Sequence, residues 1–245
     1  MRIDGRRLSV IIPFRHRHGH LEKLVPALRG ILGRQGIDYE ILVVQQEDKG
    51  LFNRGKLLNV GAIEARADSE YLCLHDVDLL PIEADYRYCT CPVRLPGVIE
   101  ADFHYDAVMD ARGTVNPIFF SGAIVIGRDA FKQVNGFSND YWHWGMEDRD
   151  FFLRLLFGGL VPLYDQEGRF EALHHEKSIF VNENGKYEKS KAEQERLIGS
   201  YKRNVRLYRL YKRRVIDNDS GLSSIEYKVT ARETYDGYRM VTVSI

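Results

Sequence analysis

The chain has 245 residues, 44% hydrophobic and 29% charged, which is enough for a sizeable core and excludes disorder as the main state. Lys+Arg and Asp+Glu balance at 35 each, so no net positive charge points to nucleic acid as a partner. No stretch approaches the roughly 18 apolar residues of a membrane span, and the charged start MRIDGRRLSV does not read as a signal peptide. The expectation is a cytoplasmic protein.

Leu8-Ser-Val-Ile-Ile-Pro13 is a β-branched apolar run that predicts a buried strand. Leu21, Leu24, Val25, Leu28, Ile31 and Leu32 keep helical spacing, predicting a helix over 20–32. Tyr39 to Gln45 predicts a second buried strand and Arg54 to Ala67 a second helix. Tyr71 to Leu74 predicts a third strand, which runs into His75-Asp-Val-Asp78. Alternating strand and helix predict a Rossmann-like, mostly parallel sheet flanked by helices, of class α/β. In such sheets functional residues lie beyond the carboxyl ends of the strands. Arg15, Arg17, Asp76 and Asp78 should therefore share one rim.

Residues 82–117 look irregular. Ile118 to Ile126 predicts a strand interrupted at Ser121-Gly122, and Arg128 to Val134 a short helix. A loop from Tyr141 leads into a helix from Asp148 to Phe157. Residues 165–186 are polar and read as a mobile loop. Lys186 to Val215 predicts a long surface helix with a solvated basic face. From Ser224 to Ile245 two alternating runs around Asp236-Gly237 predict a C-terminal β-hairpin. Their alternation slips between Met240 and Val241, as a bulge would make it. Three cysteines, Cys73, Cys89 and Cys91, do not suggest a disulfide framework.

Several groups carry chemistry. In Asp76-Val-Asp78 two carboxylates at a strand end offer hard oxygen ligands, suited to Mg²⁺ or Mn²⁺ bridging a diphosphate. Leu173-His174-His175-Glu176 follows an expected strand, and imidazole beside carboxylate favours Mn²⁺; exposed loop histidines are the plainer alternative. In Tyr141-Trp-His-Trp-Gly-Met-Glu-Asp-Arg-Asp150, aromatic rings can cover a pyranose face while carboxylates accept hydroxyl protons. One such carboxylate at a helix start can serve as general base; helix-dipole compensation would also explain Glu147 and Asp148, but not two Trp. Phe14 with Arg15 and Arg17 offers a ring for a uracil and cations for its phosphates.

These motifs stand in one order: Ile12-Pro-Phe-Arg-His-Arg17, Phe52-Asn-Arg-Gly-Lys-Leu-Leu-Asn59, Asp76-Val-Asp-Leu-Leu-Pro81, Phe120-Ser-Gly122, Phe131 to Asp148, and Ser220 to Tyr227. In this order they resemble the β-1,4-galactosyltransferase family (glycosyltransferase family 7), and the likeness runs from residue 8 to residue 245. The resemblance implies a glycosyltransferase A fold in a single catalytic domain over 1–245, with a nucleotide-binding half (1–81) and an acceptor-binding half (82–245). It implies an inverting transfer of galactose from a UDP-sugar donor to a carbohydrate acceptor, with Mn²⁺ as cofactor.

By the same resemblance Asp148 is the catalytic base. Asp78 is the first metal ligand and His175 the later one, with His174 an alternative by one residue of slippage. Ala172 stands where the family has a third ligand. The donor side gathers Pro13, Phe14, Arg15, Arg17, Phe52, Arg54, Asp76, Val77, Asp78, Gly122, Trp144 and Glu147. The acceptor side gathers Phe119, Trp144, Gly145 and Arg149. Arg149 replaces a usual acid and His143 a usual Gly. Phe119 replaces a Tyr that helps to select galactose, which leaves UDP-N-acetylgalactosamine open as donor. Arg149 and Ala172 also leave open a UDP-sugar-binding protein without turnover.

Overall fold

The computed structural model describes residues 2–47, 50–100, 120–173, 191–214 and 219–245. In chain order the elements are β1 (Arg2–Ile3), β2 (Arg7–Phe14), α1 (His18–Arg34), β3 (Asp38–Gln46), α2 (Arg54–Glu64), β4 (Tyr71–His75), β5 (Leu79–Glu83), β6 (Tyr88–Cys89), β7 (Val93–Arg94), β8 (Val98–Glu100), β9 (Ala123–Gly127), α3 (Arg128–Gln133), α4 (Glu147–Phe157), β10 (Leu163–Tyr164), β11 (Arg169–Ala172), α5 (Lys191–Lys212), β12 (Lys228–Tyr235) and β13 (Tyr238–Ser244).

Eight strands form the main sheet, in the order β10-β7-β9-β4-β2-β3-β13-β12. Its centre, β4-β2-β3-β13, is parallel throughout. Both faces are covered, which is why β2 and β3 read as continuous apolar runs rather than as alternation. Val10, Ile12, Ile41 and Val43 pack under α1 through Leu21, Leu24, Leu28 and Leu32. Ile11, Leu42 and Val44 point the other way, to Leu57 and Leu58 of α2 and to Phe131, Phe151 and Leu155 of α3 and α4. α2 lies close on the sheet: a Cβ on Gly61 would sit 2.1 Å from Ile11 Cγ2.

Several sequence expectations need correction. The helix from Arg54 stops at Glu64, because Ala65 turns to an extended conformation (ψ 152°). The region read as irregular contains β6, β7 and β8; residues 101–117 lie outside the described residues. β9 begins only at Ala123, since Gly122 takes φ +94°, and residues 118 and 119 lie outside the described set. Within the supposed loop 165–186, β11 is a strand held between β5 and β8; residues 174–186 are not described.

The hairpin exists, but its irregularity falls in β12, between Val229 and Ala231. β13 itself is regular. It lies between β3 and β12, so Met240 faces the α1 side and Val241 and Val243 the α2 side. Burial on both faces, not a bulge, erases its alternation.

Candidate active site

The rim at the carboxyl ends of β2 and β4 is where the motifs meet. The turn after β4 is fixed from its main chain. Asp76 N–H donates to the Gly122 carbonyl at 2.8 Å. His75 is fully buried, with Nδ1 2.9 Å from the Asp76 carbonyl and Nε2 3.0 Å from the Tyr86 hydroxyl. Burial pushes His75 down to about 4, so the ring is neutral. A carbonyl only accepts, so its one N–H sits on Nδ1 and Tyr86 donates to Nε2. Val77 is buried beneath the turn.

The turn sends the two carboxylates to different arginines. Asp78 accepts from Arg17 Nη1 at 2.7 Å. Asp76 accepts from Arg54 Nε at 2.6 Å, and the same guanidinium donates through Nη1 to Asp148 at 2.7 Å. Arg54 is the first residue of α2, behind the cap formed by Asn53 Oδ1 accepting from Lys56 N–H at 2.9 Å. Phe137 lies under the guanidinium, its ring centre 5.9 Å away. Arg54 Nη2 is buried and, among the described residues, has no hydrogen-bond partner. An unpaired buried donor is costly. Here it stands between two carboxylates, as a bound polar group would require.

The charges explain the local proton affinities. Burial opposes the Arg54 charge, but Asp148, Asp76 and Glu147 together raise its pKa above the usual arginine value. Burial pushes Asp76 up to about 6 against the pull of Arg54. Burial, followed by the Asp148 charge, pushes Glu147 up to about 8.

The other donor-side residues border this centre in different ways. Arg15 donates to the Gly50 carbonyl at 2.7 Å and lies over the Phe52 ring, 5.2 Å from its centre. Phe14 departs from the expectation. Its ring is fully buried, edge-on to His18 at 5.1 Å, so it supports the rim from below and offers no face to a base. Pro13 is likewise buried.

The loop 141–146 has an unusual backbone. His143, Gly145 and Met146 have φ of 70°, 96° and 80°. For the two non-glycine residues such angles cost on the order of 1–3 kcal/mol each, so the surroundings must hold them. Trp144 is 50% exposed, its ring 5.3 Å from Tyr201. Trp142 carries Lys56 over its ring at 5.9 Å. It lines an open cleft of about 450 Å³ with Leu51, Gly199, Ser200 and Arg203. Arg149 is exposed on the first turn of α4, and Asp150 turns inward to Arg154 at 2.9 Å.

α5 is not a simple surface helix. Its Leu197, Ser200, Asn204, Tyr208 and Tyr211 are buried, and Tyr208 and Tyr211 pack on Tyr141. Helical spacing of Ile198, Tyr201, Val205 and Tyr208 marks a stripe of which only Tyr208 is buried; the inner face runs beside it, through Leu197, Ser200, Asn204 and Tyr211. Sequence reasoning also missed His75, Asn53, Asn59 and Asn204. Asn59 is fully buried; it donates to the Phe137 carbonyl at 2.7 Å and accepts from Phe137 N–H at 2.9 Å, pinning α2 to the loop before α4. A lone Asn inside an apolar helix face was the available signal.

His174, His175 and Phe119 lie outside the described residues. The approach to the histidine pair is nevertheless fixed: Leu173 N–H donates to the Asp78 carbonyl at 2.8 Å, and Ala172 pairs with Leu79. Among the described residues no three His, Cys, Asp or Glu side chains form a ready ligand set. Asp78 supplies one hard oxygen donor, and the chain passes its carbonyl immediately before two imidazoles. That donor chemistry fits Mn²⁺.

Comparisons with known proteins agree with this geometry. Residues 4–92 match the N-terminal region of glycosyl transferase group 7, and residues 112–177 match a galactosyltransferase domain described as N-terminal. The chain is 32% identical over 250 residues to β-1,4-galactosyltransferase 1 of Homo sapiens, covering 99% of this chain and 56% of that protein. It is 37% identical over 159 residues to β-1,4-galactosyltransferase 7 of Drosophila melanogaster, covering 63% of this chain and 46% of the relative. The chain thus spans about half the length of these relatives. The catalytic domain of the Drosophila enzyme, solved with xylobiose, superposes with a TM-score of 0.73 at 27% identity, over 98% of this chain and 94% of that one. A mutant of it, solved with manganese, UDP-Gal and xylobiose, gives 0.72 at 26%. Ordered motifs, sheet topology and these likenesses agree: the chain belongs to glycosyltransferase family 7, the family of the β-1,4-galactosyltransferases, and has its glycosyltransferase A fold.

Proposed function

We propose that this chain is an inverting, Mn²⁺-dependent transferase that moves galactose from UDP-galactose to a sugar hydroxyl in β-1,4 linkage. One observation carries the reading. Arg54 ties Asp76 to Asp148, while the Asp78 carbonyl meets the chain just ahead of the histidine pair. Groups far apart in sequence thus share one rim. The Drosophila relative, solved with manganese, UDP-Gal and xylobiose, supports the choice of ligands.

In this reading Asp148 accepts the proton of the acceptor hydroxyl as that oxygen attacks the anomeric carbon. The bond from that carbon to the UDP oxygen breaks on the opposite side, so an α-linked donor gives a β-linked product. Arg54 orients the Asp148 carboxylate, and its unpaired Nη2 donates to a sugar oxygen. Glu147 contacts the donor sugar, and Trp144 offers a ring face to a pyranose. Asp78 with His175, or His174, would hold Mn²⁺, which when bound neutralises charge on the departing diphosphate. Arg17 and Arg15 border the phosphates. Residues 1–81 serve the nucleotide and residues 82–245 the acceptor, with Gly145, Arg149 and Phe119 on the acceptor side.

The test is Mn²⁺-dependent UDP release measured across UDP-sugars and simple acceptors, xylosides and N-acetylglucosaminides included. The reading expects UDP-galactose to be the preferred donor. Preference for UDP-N-acetylgalactosamine would replace the donor assignment. UDP binding without turnover of any donor would overturn catalysis.

A further inference from the structure

The chain has two tryptophans, Trp142 and Trp144, and both lie on the left-handed loop ahead of Asp148. That loop lacks the usual means of holding a helix start: Met146, at the N-cap of α4, makes no side-chain cap bond. α5 holds it instead. The Asn204 side chain is fully buried, and its Nδ2 lies 3.0 Å from the Trp142 carbonyl, 3.3 Å from that of Trp144 and 3.1 Å from that of Gly145. One amide nitrogen with two hydrogens thus lies among three carbonyls of the same short loop. Ser200 Oγ donates to the Trp142 carbonyl at 2.8 Å, and Arg203 to the Asp140 carbonyl at 2.9 Å. On the opposite side of the loop, His143 N–H donates to the Phe52 carbonyl at 2.6 Å.

The other end of the same side chain does nothing comparable. Among the described residues Asn204 Oδ1 is buried without a hydrogen-bond partner. Burying an unmet acceptor is unfavourable, so the residue is there for its donors. The carbonyls those donors gather belong to the segment that carries Trp144 and ends at Glu147 and Asp148.

We propose that Asn204 is a positioning residue of the active site: its amide fixes the 142–146 backbone, and through it the Trp144 ring and the start of α4. The effect on transfer rests on the function proposed above; the effect on the loop does not. In that reading the segment it serves borders both substrates, Trp144 and Glu147 the donor sugar and Trp144 and Gly145 the acceptor.

Asn204→Leu keeps nearly the same shape, removes the donors and sacrifices no satisfied acceptor. Because no other tryptophan is present, intrinsic fluorescence of the full chain reports on this loop alone. The expected result is a shifted emission maximum and stronger acrylamide quenching, with a cooperative melting transition retained. In UDP-galactose turnover kcat/KM should fall roughly 10- to 100-fold, the scale of a small misplacement near a reacting centre, with binding of UDP alone little changed. Ser200→Ala, which removes a single bond to the Trp142 carbonyl, should give a smaller change in the same direction and serves if Asn204→Leu fails to fold. Wild-type emission and quenching in both variants, or a changed emission with wild-type kcat/KM in both, overturns the proposal. If the wild-type protein turns over no donor, the function is wrong, and the fluorescence still decides the role of Asn204.

Discussion

The Arg54 guanidinium donates to the Asp148 carboxylate at 2.7 Å, joining the first residue of α2 to the second residue of α4 across 94 positions of sequence. The same group holds Asp76 at 2.6 Å. A cation shared in this way fixes Asp148 relative to the rim, so its pairing with Arg54 and the proton acceptance proposed for it can be separated by substitution.

Asp148→Asn keeps the shape and the hydrogen-bond acceptor that faces Arg54 but cannot take a proton at neutral pH. Transfer should fall by roughly 10²- to 10⁴-fold, while UDP binding by calorimetry stays close to wild type. Near wild-type transfer in this variant would remove Asp148 from its role.

Glu147 sets a pH dependence of stability. The folded protein keeps its proton up to about 8, whereas the unfolded chain releases it near 4.5. Between those values the folded state binds more protons, so this contribution is complete below 4.5 and is lost as pH rises through 8. Stability of the metal-free protein should decline across that window by at most about 1.4 kcal/mol per pH unit from this group. Denaturant midpoints recorded from pH 5 to 8 should flatten in Glu147→Gln; an unchanged slope would assign the dependence elsewhere.

Metal dependence separates the histidines. Chelation should abolish UDP release and added Mn²⁺ restore it. Asp78→Ala and His175→Ala should raise the Mn²⁺ needed for half activity by more than the roughly 10- to 100-fold that loss of an outer partner costs. His174→Ala should do less. The reverse order would move the ligand to His174, consistent with the one-residue ambiguity that Ala172 leaves.

Gly61→Ala tests the packing of α2 on the sheet. The added methyl would overlap Ile11 Cγ2 and come within 3.1 Å of Val44 Cγ2. The helix must lift or the strands shift, at a cost of roughly 1–3 kcal/mol. A melting temperature lower by several degrees is expected, with circular dichroism showing the helix content preserved.

Much of the site could be read in the sequence because its chemistry sits on short motifs at strand ends. Asp76-Val-Asp78 follows an apolar run, and a parallel sheet puts such residues on one rim whatever lies between. The Arg54 bridge was harder to see, since which carboxylates an arginine collects depends on the approach of α4, and no local pattern encodes it. The strand expected just ahead of Leu173 is β11, but Arg169-Phe-Glu-Ala172 is short and polar on one side, so its partners β5 and β8, not its composition, set its bounds. α5 shows the limit of periodicity. The stripe Ile198, Tyr201, Val205 and Tyr208 shares only Tyr208 with the buried face, and only the fold shows that the face through Ser200 and Asn204 grips the tryptophan loop.

The position of β13 has a consequence for how the molecule assembles. Val241 pairs with Val44, about two hundred positions earlier, and β3 has β2 on its other side. Until residues 238–244 arrive, a nascent chain carries β3 as a bare apolar margin flanked by a finished β2. Pairings at such separation form slowly, and an open strand margin invites neighbouring chains to add to it. Substitutions that weaken the hairpin should therefore show first as lost yield of soluble protein during synthesis, before any loss in the mature enzyme.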